Sequence, residues 1–401
     1  MARPAALAVA LVVAALAAVW AVAAWWLWQT SVPDGLRLPE VAAEDVLAQP
    51  ELGDARRFER FLRWSYAASA IVLVGAFAVY ARYGARFVRE SAAGRIGTGM
   101  LLGMLGFAIV WLVQIPFGLV DLWWQRRHDV SELGYVDWFF LNWFALGGEF
   151  LFVCFALLVV MGLAGLLGDW WWIPGALVFV GLAALLTFVS PYLIPGQKDA
   201  PRALVQESDR LAEEQGLPPI PVRVQEVDAW ESPNAAATGL GPTRRIILWN
   251  TLVDNFADRE VRVVVGHELG HHSSNHLWKG IAWYALFAVP GAFVIAWATK
   301  RRGGMREPTA VPLALLVLVV LQLLALPAQN AVTRNMEAEA DWVALETTED
   351  PAATARLWRG FAEEAMADPS PPTWSYLLFD SHPSMAKRVA MAEAWRERNG
   401  G

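Results

Sequence analysis

Seven long runs of apolar residues dominate this chain of 401 residues. A helix needs about 20 apolar residues to cross the ~30 Å hydrocarbon layer of a bilayer, and each run is near that length and almost free of charge. Lipid offers no hydrogen-bonding partner to an open backbone, so runs of this kind must be helical. The sequence therefore predicts a mainly α, polytopic membrane protein with about seven transmembrane helices, at approximately residues 5–28, 64–82, 97–120, 143–167, 171–194, 280–299 and 309–331.

The composition agrees with a membrane protein and excludes several soluble classes. Hydrophobic residues make up 56% of the chain and charged residues only 18%, whereas soluble globular proteins carry roughly 25% charged residues. Several of the 22 tryptophans stand in clusters beside the apolar runs, which is typical of side chains that anchor at the membrane–water interface. A formal net charge of −7 argues against nucleic acid as a partner, because nucleic-acid binding needs a basic face. We therefore expect a multi-pass protein of the cell membrane, in contact with the lipid bilayer.

The order of the apolar runs divides the chain into two predicted domains. Five runs lie within residues 1–194, which we expect to form an N-terminal membrane domain. Residues 195–401 form the second domain, which the runs at about 280–299 and 309–331 interrupt. Two crossings return a chain to the side of the membrane that it left. The polar stretches before and after these two runs therefore face the same compartment.

The polar stretch ahead of the sixth run predicts a small β-sheet followed by a helix. Residues 221–227 alternate between apolar and polar side chains and predict a strand. Residues 234–240 and 244–249 flank a Gly-Pro turn and predict a hairpin. A helix is expected from about residue 258 to residue 275.

This predicted helix carries the sequence His267-Glu268-Leu269-Gly270-His271. Residues four apart lie on one face of a helix, so both imidazoles can reach one Zn²⁺. Glu268 lies beside that face, where it can take a proton from a zinc-bound water rather than bind the metal itself. The same five-residue pattern also occurs on solvated helices that bind no metal. Here the apolar residues 263–265 and Gly270 indicate a buried helix and favour the metal site.

A catalytic zinc needs a third protein ligand and one open position. The single cysteine, Cys154, lies in an apolar run, so the third ligand must be a histidine or a carboxylate. Directly after the seventh run, Glu337 and Asp341 share a helical face, whereas Glu339 points about 200° away from Glu337. We assign Glu337 as the third ligand and expect Asp341 to hold a ligand histidine by its second ring nitrogen. Without the histidine motif, all three carboxylates would be interpreted as ordinary solvated helix surface.

These motifs and their order resemble the integral-membrane zinc metallopeptidases that include the type I CAAX prenyl endopeptidase, as a bacterial-type member. The resemblance runs over nearly the whole chain: several spans, a loop that ends in His-Glu-Leu-Gly-His, two further spans and a Glu-x-x-x-Asp helix. The other matching segments are Asn234-Ala235 with Thr238-Gly239-Leu240-Gly241, residues 244–248 with Thr251-Leu252, His276, Arg334 with Ala340, and His382-Pro383 with Arg388. Thr333 and Ala338 depart from the family, which prefers serine and an aromatic residue there, but neither departure removes a predicted ligand.

The resemblance implies a zincin-type metalloprotease domain that contains the small β-sheet and binds one Zn²⁺ per chain. It implies that Glu268 is the general base and that a zinc-activated water hydrolyses a peptide bond of a peptide or membrane-protein substrate. It further implies that His382 donates a hydrogen bond to the oxyanion, with Arg388 positioning it. We expect His276 to lie behind the zinc ligands or on the surface of the helix. On sequence alone, His382-Pro383 is also consistent with a turn that starts the last helix.

A short strand is the expected platform for the substrate. An extended peptide can pair with an exposed strand edge through its main chain. Asn234, Ala235 and Ala236 carry short side chains and precede the predicted zinc helix closely in the sequence, so we expect them to bind the substrate. The alternative is an ordinary hairpin strand without that role.

Three functions stay open on the sequence. The favoured one is a general membrane-associated endopeptidase, and the runner-up is CAAX-type processing of the C-termini of prenylated proteins. The third is a catalytically silent membrane scaffold, which the intact His267, Glu268, His271 and Glu337 disfavour. The side of the membrane that the site faces is also open. The distribution of basic residues favours a site on the side of the membrane away from the cytoplasm, whereas the resemblance implies a site that faces the cytosol.

Overall fold

The computed structural model describes residues 2–86, 93–227 and 233–400. Within these ranges, six helices are long and apolar enough to cross a membrane. They are α3 (Glu51–Tyr83), α4 (Gly94–Arg127), α5 (Tyr135–Leu167), α6 (Trp172–Leu193), α10 (His276–Thr299) and α11 (Val311–Thr348). The first apolar run of the sequence forms α1 (Ala2–Leu27), so the expectation of about seven spanning helices agrees with the fold. The chain is a mainly α, multi-pass membrane protein.

The outward side chains of the spanning helices are apolar and exposed. Leu166, Phe144 and Ile71 are 82%, 77% and 73% exposed. Soluble monomers rarely leave contiguous apolar surfaces of this kind open to water. A lipid bilayer, in contrast, solvates such side chains without cost and forces the backbone to satisfy its hydrogen bonds inside the helix. The exposed apolar surface is therefore the surface that the bilayer covers.

A four-stranded mixed sheet lies in the polar part of the chain. Its strands are β1 (Gln197–Asp199), β2 (Val222–Gln225), β3 (Ala235–Thr238) and β4 (Arg245–Trp249), in the order β1-β2-β4-β3. The pair β2–β4 is parallel and the other two pairs are antiparallel. The predicted strand and hairpin are confirmed with shorter bounds, and β1 adds a strand that the alternation pattern does not predict. β4 pairs on both sides, which leaves β3 at the edge of the sheet.

Five of the helices in the polar part enclose a core with the sheet. They are α2 (Ala43–Val46), α7 (Arg202–Glu214), α8 (Asn250–Asn255), α12 (Pro351–Glu364) and α14 (Met385–Asn399). Fully buried side chains of this core include Leu211, Ile246, Leu252, Leu357 and Val389. Val46 of α2 also packs into it, so the segment between the first two apolar runs contributes to the same core.

Another helix of the polar part, α9 (Asp258–Ser273), crosses α11 at close range. A Cβ atom on Gly270 would lie 3.2 Å from the Cα atom of Ala340, and one on Gly266 would lie 3.2 Å from Cγ2 of Thr348. The two glycines therefore let the backbones approach, as glycine does wherever a side chain would separate two elements. α11 itself continues without a break from the membrane into the polar part, about 57 Å in all at 1.5 Å per residue. This crossing brings the histidines of α9 next to the carboxylates of α11.

Candidate metal centre

Three donor atoms meet where α9 crosses α11. Nε2 of His267 lies 3.1 Å from Nε2 of His271. The carboxylate oxygens of Glu337 lie 3.3 Å from Nε2 of His267 and 3.5 Å from Nε2 of His271. His267 and Glu337 are buried, and His271 is half-buried. The structure thus brings together the three residues that the sequence predicts as ligands.

The separations between these atoms suit a single metal ion. Ligand atoms at about 2.0–2.1 Å from a tetrahedral zinc lie roughly 3.3 Å from one another. The two Nε2 atoms are 3.1 Å apart, and each has one oxygen of the Glu337 carboxylate nearby: Oε2 lies 3.3 Å from His267 and Oε1 lies 3.5 Å from His271. Two imidazoles and one carboxylate are also a known donor set of catalytic zinc sites. Among the residues that the structure describes, these three form the one group of histidine, cysteine and acidic side chains able to hold an ion.

The second ring nitrogen of His267 faces a carboxylate, as the sequence predicts. Its Nδ1 lies 2.9 Å from Oδ1 of Asp341. Arg388 contacts the other side of this group: Nη2 donates to Oε2 of Glu337 at 2.9 Å, and Nε lies 3.0 Å from Oδ2 of Asp341. Its guanidinium also lies 3.8 Å from the ring centroid of Trp358. These contacts balance the charge of two buried carboxylates, and the positioning of His382 by Arg388 stays a prediction.

The second ring nitrogen of His271 begins a chain of contacts that the sequence analysis missed in part. Nδ1 of His271 lies 2.9 Å from Nδ1 of His276. Nε2 of His276 lies 2.9 Å from Oε2 of Glu339, and Nζ of Lys279 donates to the same oxygen at 3.0 Å. Glu339 does not share the face of Glu337, yet it is buried because that side of α11 packs against α10. In the sequence, the three-residue spacing of His276 and Lys279, which places both on the first turn of α10, could have indicated a shared partner.

A cavity of about 310 Å³ opens beside the three donor atoms, and Glu268 lines it. Burial raises the pKa of Glu268 to about 7, although the charge of His267 and a main-chain hydrogen bond from Ala237 act in the opposite direction. The carboxyl group is then close to half ionised near neutral pH. A group of this pKa suits proton transfer near neutral pH.

His382 reaches the same cavity from the loop between α13 (Thr373–Phe379) and α14. Its Nε2 lies 3.4 Å from Oε2 of Glu337, and its side chain is 57% exposed. Arg334 donates to the main-chain oxygen of Tyr376 at 2.9 Å and to that of Asp380. These bonds hold the loop against α11, so the imidazole is fixed near the donor atoms but stays open to a ligand.

β3 lies along the cavity at the edge of the sheet. Ala235 and Ala236 line the cavity together with Ala237, which the sequence analysis did not name. Asn234 precedes the strand; its main-chain oxygen accepts a bond from Trp249 at 2.9 Å, and its Oδ1 accepts one from the amide of Ala235 at 2.9 Å. Antiparallel pairing alternates along a strand, so the main-chain groups of Ala236 face β4 while those of Ala235 and Ala237 face away from it.

His272 shows that position on the helix decides which imidazoles join the centre. It follows His271 directly but is buried against the sheet, where it meets the main chain of Arg245. Burial lowers the pKa of His272 to about 4, so the ring is neutral at physiological pH. His272 therefore belongs to the packing between α9 and β4 rather than to the group of donor atoms.

Apolar spanning helices joined to a centre of two histidines and one glutamate define this chain as a membrane metallopeptidase. The chain belongs to peptidase family M48. The sequence model of Peptidase family M48 matches residues 200–396. A "Protease HtpX homolog" of Acidiphilium cryptum is 32% identical over 219 residues, which cover 49% of this chain and 75% of that protein.

Two further comparisons give similar proteins. The "Uncharacterized metalloprotease YhfN" of Bacillus subtilis is 32% identical over 241 residues, and the match covers 56% of this chain and 56% of the length of that relative. The crystal structure of S. mikatae Ste24p superposes with a TM-score of 0.71 at 17% identity, covering 94% of this chain and 96% of that one. Over the matched 94% of the chain, the fold is therefore that of Ste24p.

Proposed function

We propose that this chain is a zinc metalloendopeptidase that cleaves peptides or membrane proteins next to the bilayer. In this proposal one Zn²⁺ per chain is held by His267, His271 and Glu337. The observation that carries it is the meeting of two imidazole nitrogens, 3.1 Å apart, with the carboxylate of Glu337, whose Oε2 and Oε1 lie 3.3 and 3.5 Å from them, beside a cavity that also holds Glu268 and the edge of β3. We also propose that residues 1–194 act as the membrane domain and residues 195–401 as the metallopeptidase domain.

The remaining cavity groups supply the proton transfers. His267, His271 and Glu337 would hold a Zn²⁺ ion, which would supply Lewis-acid activation of a water molecule by lowering the pKa of that water toward about 7. Glu268 accepts the proton of the attacking water and later delivers it to the leaving amine. The exposed imidazole of His382 donates a hydrogen bond to the oxyanion that develops on the scissile carbonyl. Asp341 and Arg388 hold His267 and Glu337 in place from behind.

The outer edge of β3 is the proposed platform for the substrate main chain. The outward main-chain carbonyl oxygens of Ala235 and Ala237 can accept hydrogen bonds from an extended peptide, which would lie across the cavity next to Glu268; the amide of Ala237 already donates to that carboxylate. The side chain of Asn234 already occupies the amide of Ala235. We therefore assign Asn234 to shaping the start of this edge, and Ala235 and Ala236 to contact with the substrate.

Processing of prenylated C-termini is the second candidate, and the Ste24p-like fold of the whole chain is the observation that favours it. The two candidates differ in what the substrate must carry. A general endopeptidase needs an extended segment of main chain, whereas a prenyl-dependent enzyme needs an attached isoprenoid. A catalytically silent scaffold finds no support in a complete donor set.

Cleavage assays on the purified protein in detergent test the proposed mechanism and then distinguish the two candidate functions. We expect about one zinc per chain by metal analysis, and cleavage of an unmodified peptide library that E268Q loses by roughly 10²–10⁴-fold while it keeps its zinc. Equal rates for E268Q and the parent would contradict the proposed mechanism. Matched peptides with and without a farnesyl group then separate the candidates, since cleavage of the farnesylated set alone would favour the CAAX-type function.

A further inference from the structure

The loop that follows α1, residues 28–31, contacts Glu339, the carboxylate that is linked to His271 through His276. The amide of Ser31 donates to Oε1 of Glu339 at 2.8 Å. Nζ of Lys279, which donates to Oε2 of Glu339, also donates to the main-chain oxygen of Gln29 at 3.2 Å. Both carboxylate oxygens of Glu339 are thus engaged, one by the loop and one by α10.

Packing anchors the loop at both ends. Before it, Leu27 lies in a cluster with Trp283 of α10 and Val332 of α11. The first residue of the loop, Trp28, meets the ring of Trp283 edge-on with centroids 6.4 Å apart. After it, Val32 packs against a cluster formed by α11 and α14. The loop is therefore built into the protein interior at the two places where it enters and leaves, although its own side chains are exposed.

The donor and acceptor of each hydrogen bond that links His271, His276 and Glu339 follow from the ring nitrogens that face one another. If Nε2 of His271 binds a metal, the proton of its neutral ring sits on Nδ1, which can only donate to Nδ1 of His276 at 2.9 Å. The proton of His276 then sits on Nε2 and is donated to Glu339 at 2.9 Å. A carboxylate at the end of the chain thus selects, through His276, the one tautomer of His271 that leaves Nε2 free for a ligand.

We propose that Glu339 and the loop 28–31 form a positioning unit for the metal ligand His271. Glu339 fixes the tautomer and orientation of the ring through His276, and the amide of Ser31 fixes Glu339. This inference rests on the proposed metal site and goes beyond it, because it makes the segment after the first apolar helix part of the metal centre. His267 has its carboxylate, Asp341, in direct contact, whereas His271 obtains the same support through one intermediate ring.

The first test compares E339Q with E346Q in the full-length protein in detergent. Glu346 is exposed on the same helix and accepts a hydrogen bond from Trp395. E346Q therefore removes a charge from α11 without changing the hydrogen bonds that link His271, His276 and Glu339. We expect E339Q to weaken Zn²⁺ binding by about 10- to 100-fold in a chelator competition, with E346Q at the parental affinity. The Co²⁺-loaded E339Q should also show an altered visible ligand-field spectrum, which a loss of packing alone would not cause.

The second test separates the amide of Ser31 from its side chain. S31P removes the N–H group that donates to Glu339, and S31A keeps it. We expect S31P to weaken Zn²⁺ binding in the same direction as E339Q, and S31A to bind as the parent does. Melting temperatures of the metal-free proteins show whether either variant disturbs the fold itself.

Parental Zn²⁺ affinity and an unchanged Co²⁺ spectrum in E339Q would overturn the positioning unit while leaving the proposed function intact. Equal effects of S31P and S31A would overturn the part assigned to the loop. A parent protein that binds no Zn²⁺ would instead contradict the proposed function, so the two failures can be told apart.

Discussion

The guanidinium of Arg388 donates to the carboxylate of Glu337 at 2.9 Å, across 51 positions of sequence. Both side chains are buried, and Arg388 also lies 3.0 Å from Asp341. One cation therefore faces two carboxylates; Arg388 and His267 meet the same oxygen of Glu337, Oε2, while Oε1 faces His271. The last helix of the chain thus contributes to the metal centre although it carries none of its ligands.

Removal of this cation should destabilise the protein and weaken the site. We expect R388M to cost about 3–5 kcal/mol of stability, because it leaves two buried carboxylates without their partner, and to lower zinc content. Thermal unfolding in detergent and metal analysis measure the two effects. R396M, on the exposed face of the same helix, should match the parent in both.

Replacement of a single ligand should abolish zinc binding, while replacement of its neighbour should not. H271A removes a donor atom of the proposed centre, so we expect no stoichiometric zinc and no peptide cleavage. H272A removes a buried ring that packs against β4; it should lower the melting temperature but keep the zinc. A chelator should inactivate the parent, and added Zn²⁺ should restore it. Zinc retained at full stoichiometry in H271A would show that the ligand is another residue.

The activity should fall on the acid side of neutral pH. Glu268 must be ionised to accept a proton, and burial raises its pKa to about 7. We therefore expect kcat/KM to decrease about tenfold per pH unit as the pH is lowered below that value. Zinc content measured over the same range identifies loss of metal as a separate cause. A flat profile down to pH 5 at constant zinc content would mean that Glu268 is not the group that titrates.

A bulky side chain on the edge strand should affect the substrate rather than the metal. Ala236 is exposed in β3 and lines the cavity. We expect A236W to raise KM for peptides at least about tenfold, since it fills the space that an extended substrate would use, with zinc content unchanged. A236S, which hardly changes the volume, should stay near the parental KM. Equal KM values for the two variants would place the substrate elsewhere.

Much of the fold and part of the site could be predicted because they depend on local spacing. Runs of about 20 apolar residues define the spanning helices whatever they pack against. The four-residue step from His267 to His271 places two imidazoles on one face in any α-helix. Glu337 and Asp341 could be paired by the same rule, and the structure brings both to the histidines.

Contacts between residues that are far apart in the sequence could not be predicted from local spacing. The helical rule correctly turned Glu339 away from Glu337, but only the packing of α10 on α11 makes that direction a buried one. The bond from Ser31 to Glu339 spans 308 positions, and no periodicity relates the two residues. The crossing of α9 and α11 likewise depends on the contact of Gly270 with the backbone of Ala340.

The amino-acid sequence by itself determined the spanning helices, the pair of histidines and the carboxylate helix, since backbone geometry converts short spacings directly into shared faces. Only the tertiary structure decided which charges support which ligand, that β3 stands at the sheet edge beside the cavity, and that the segment after α1 reaches the centre. These relations depend on the packing of several helices at once, which short-range pattern does not encode.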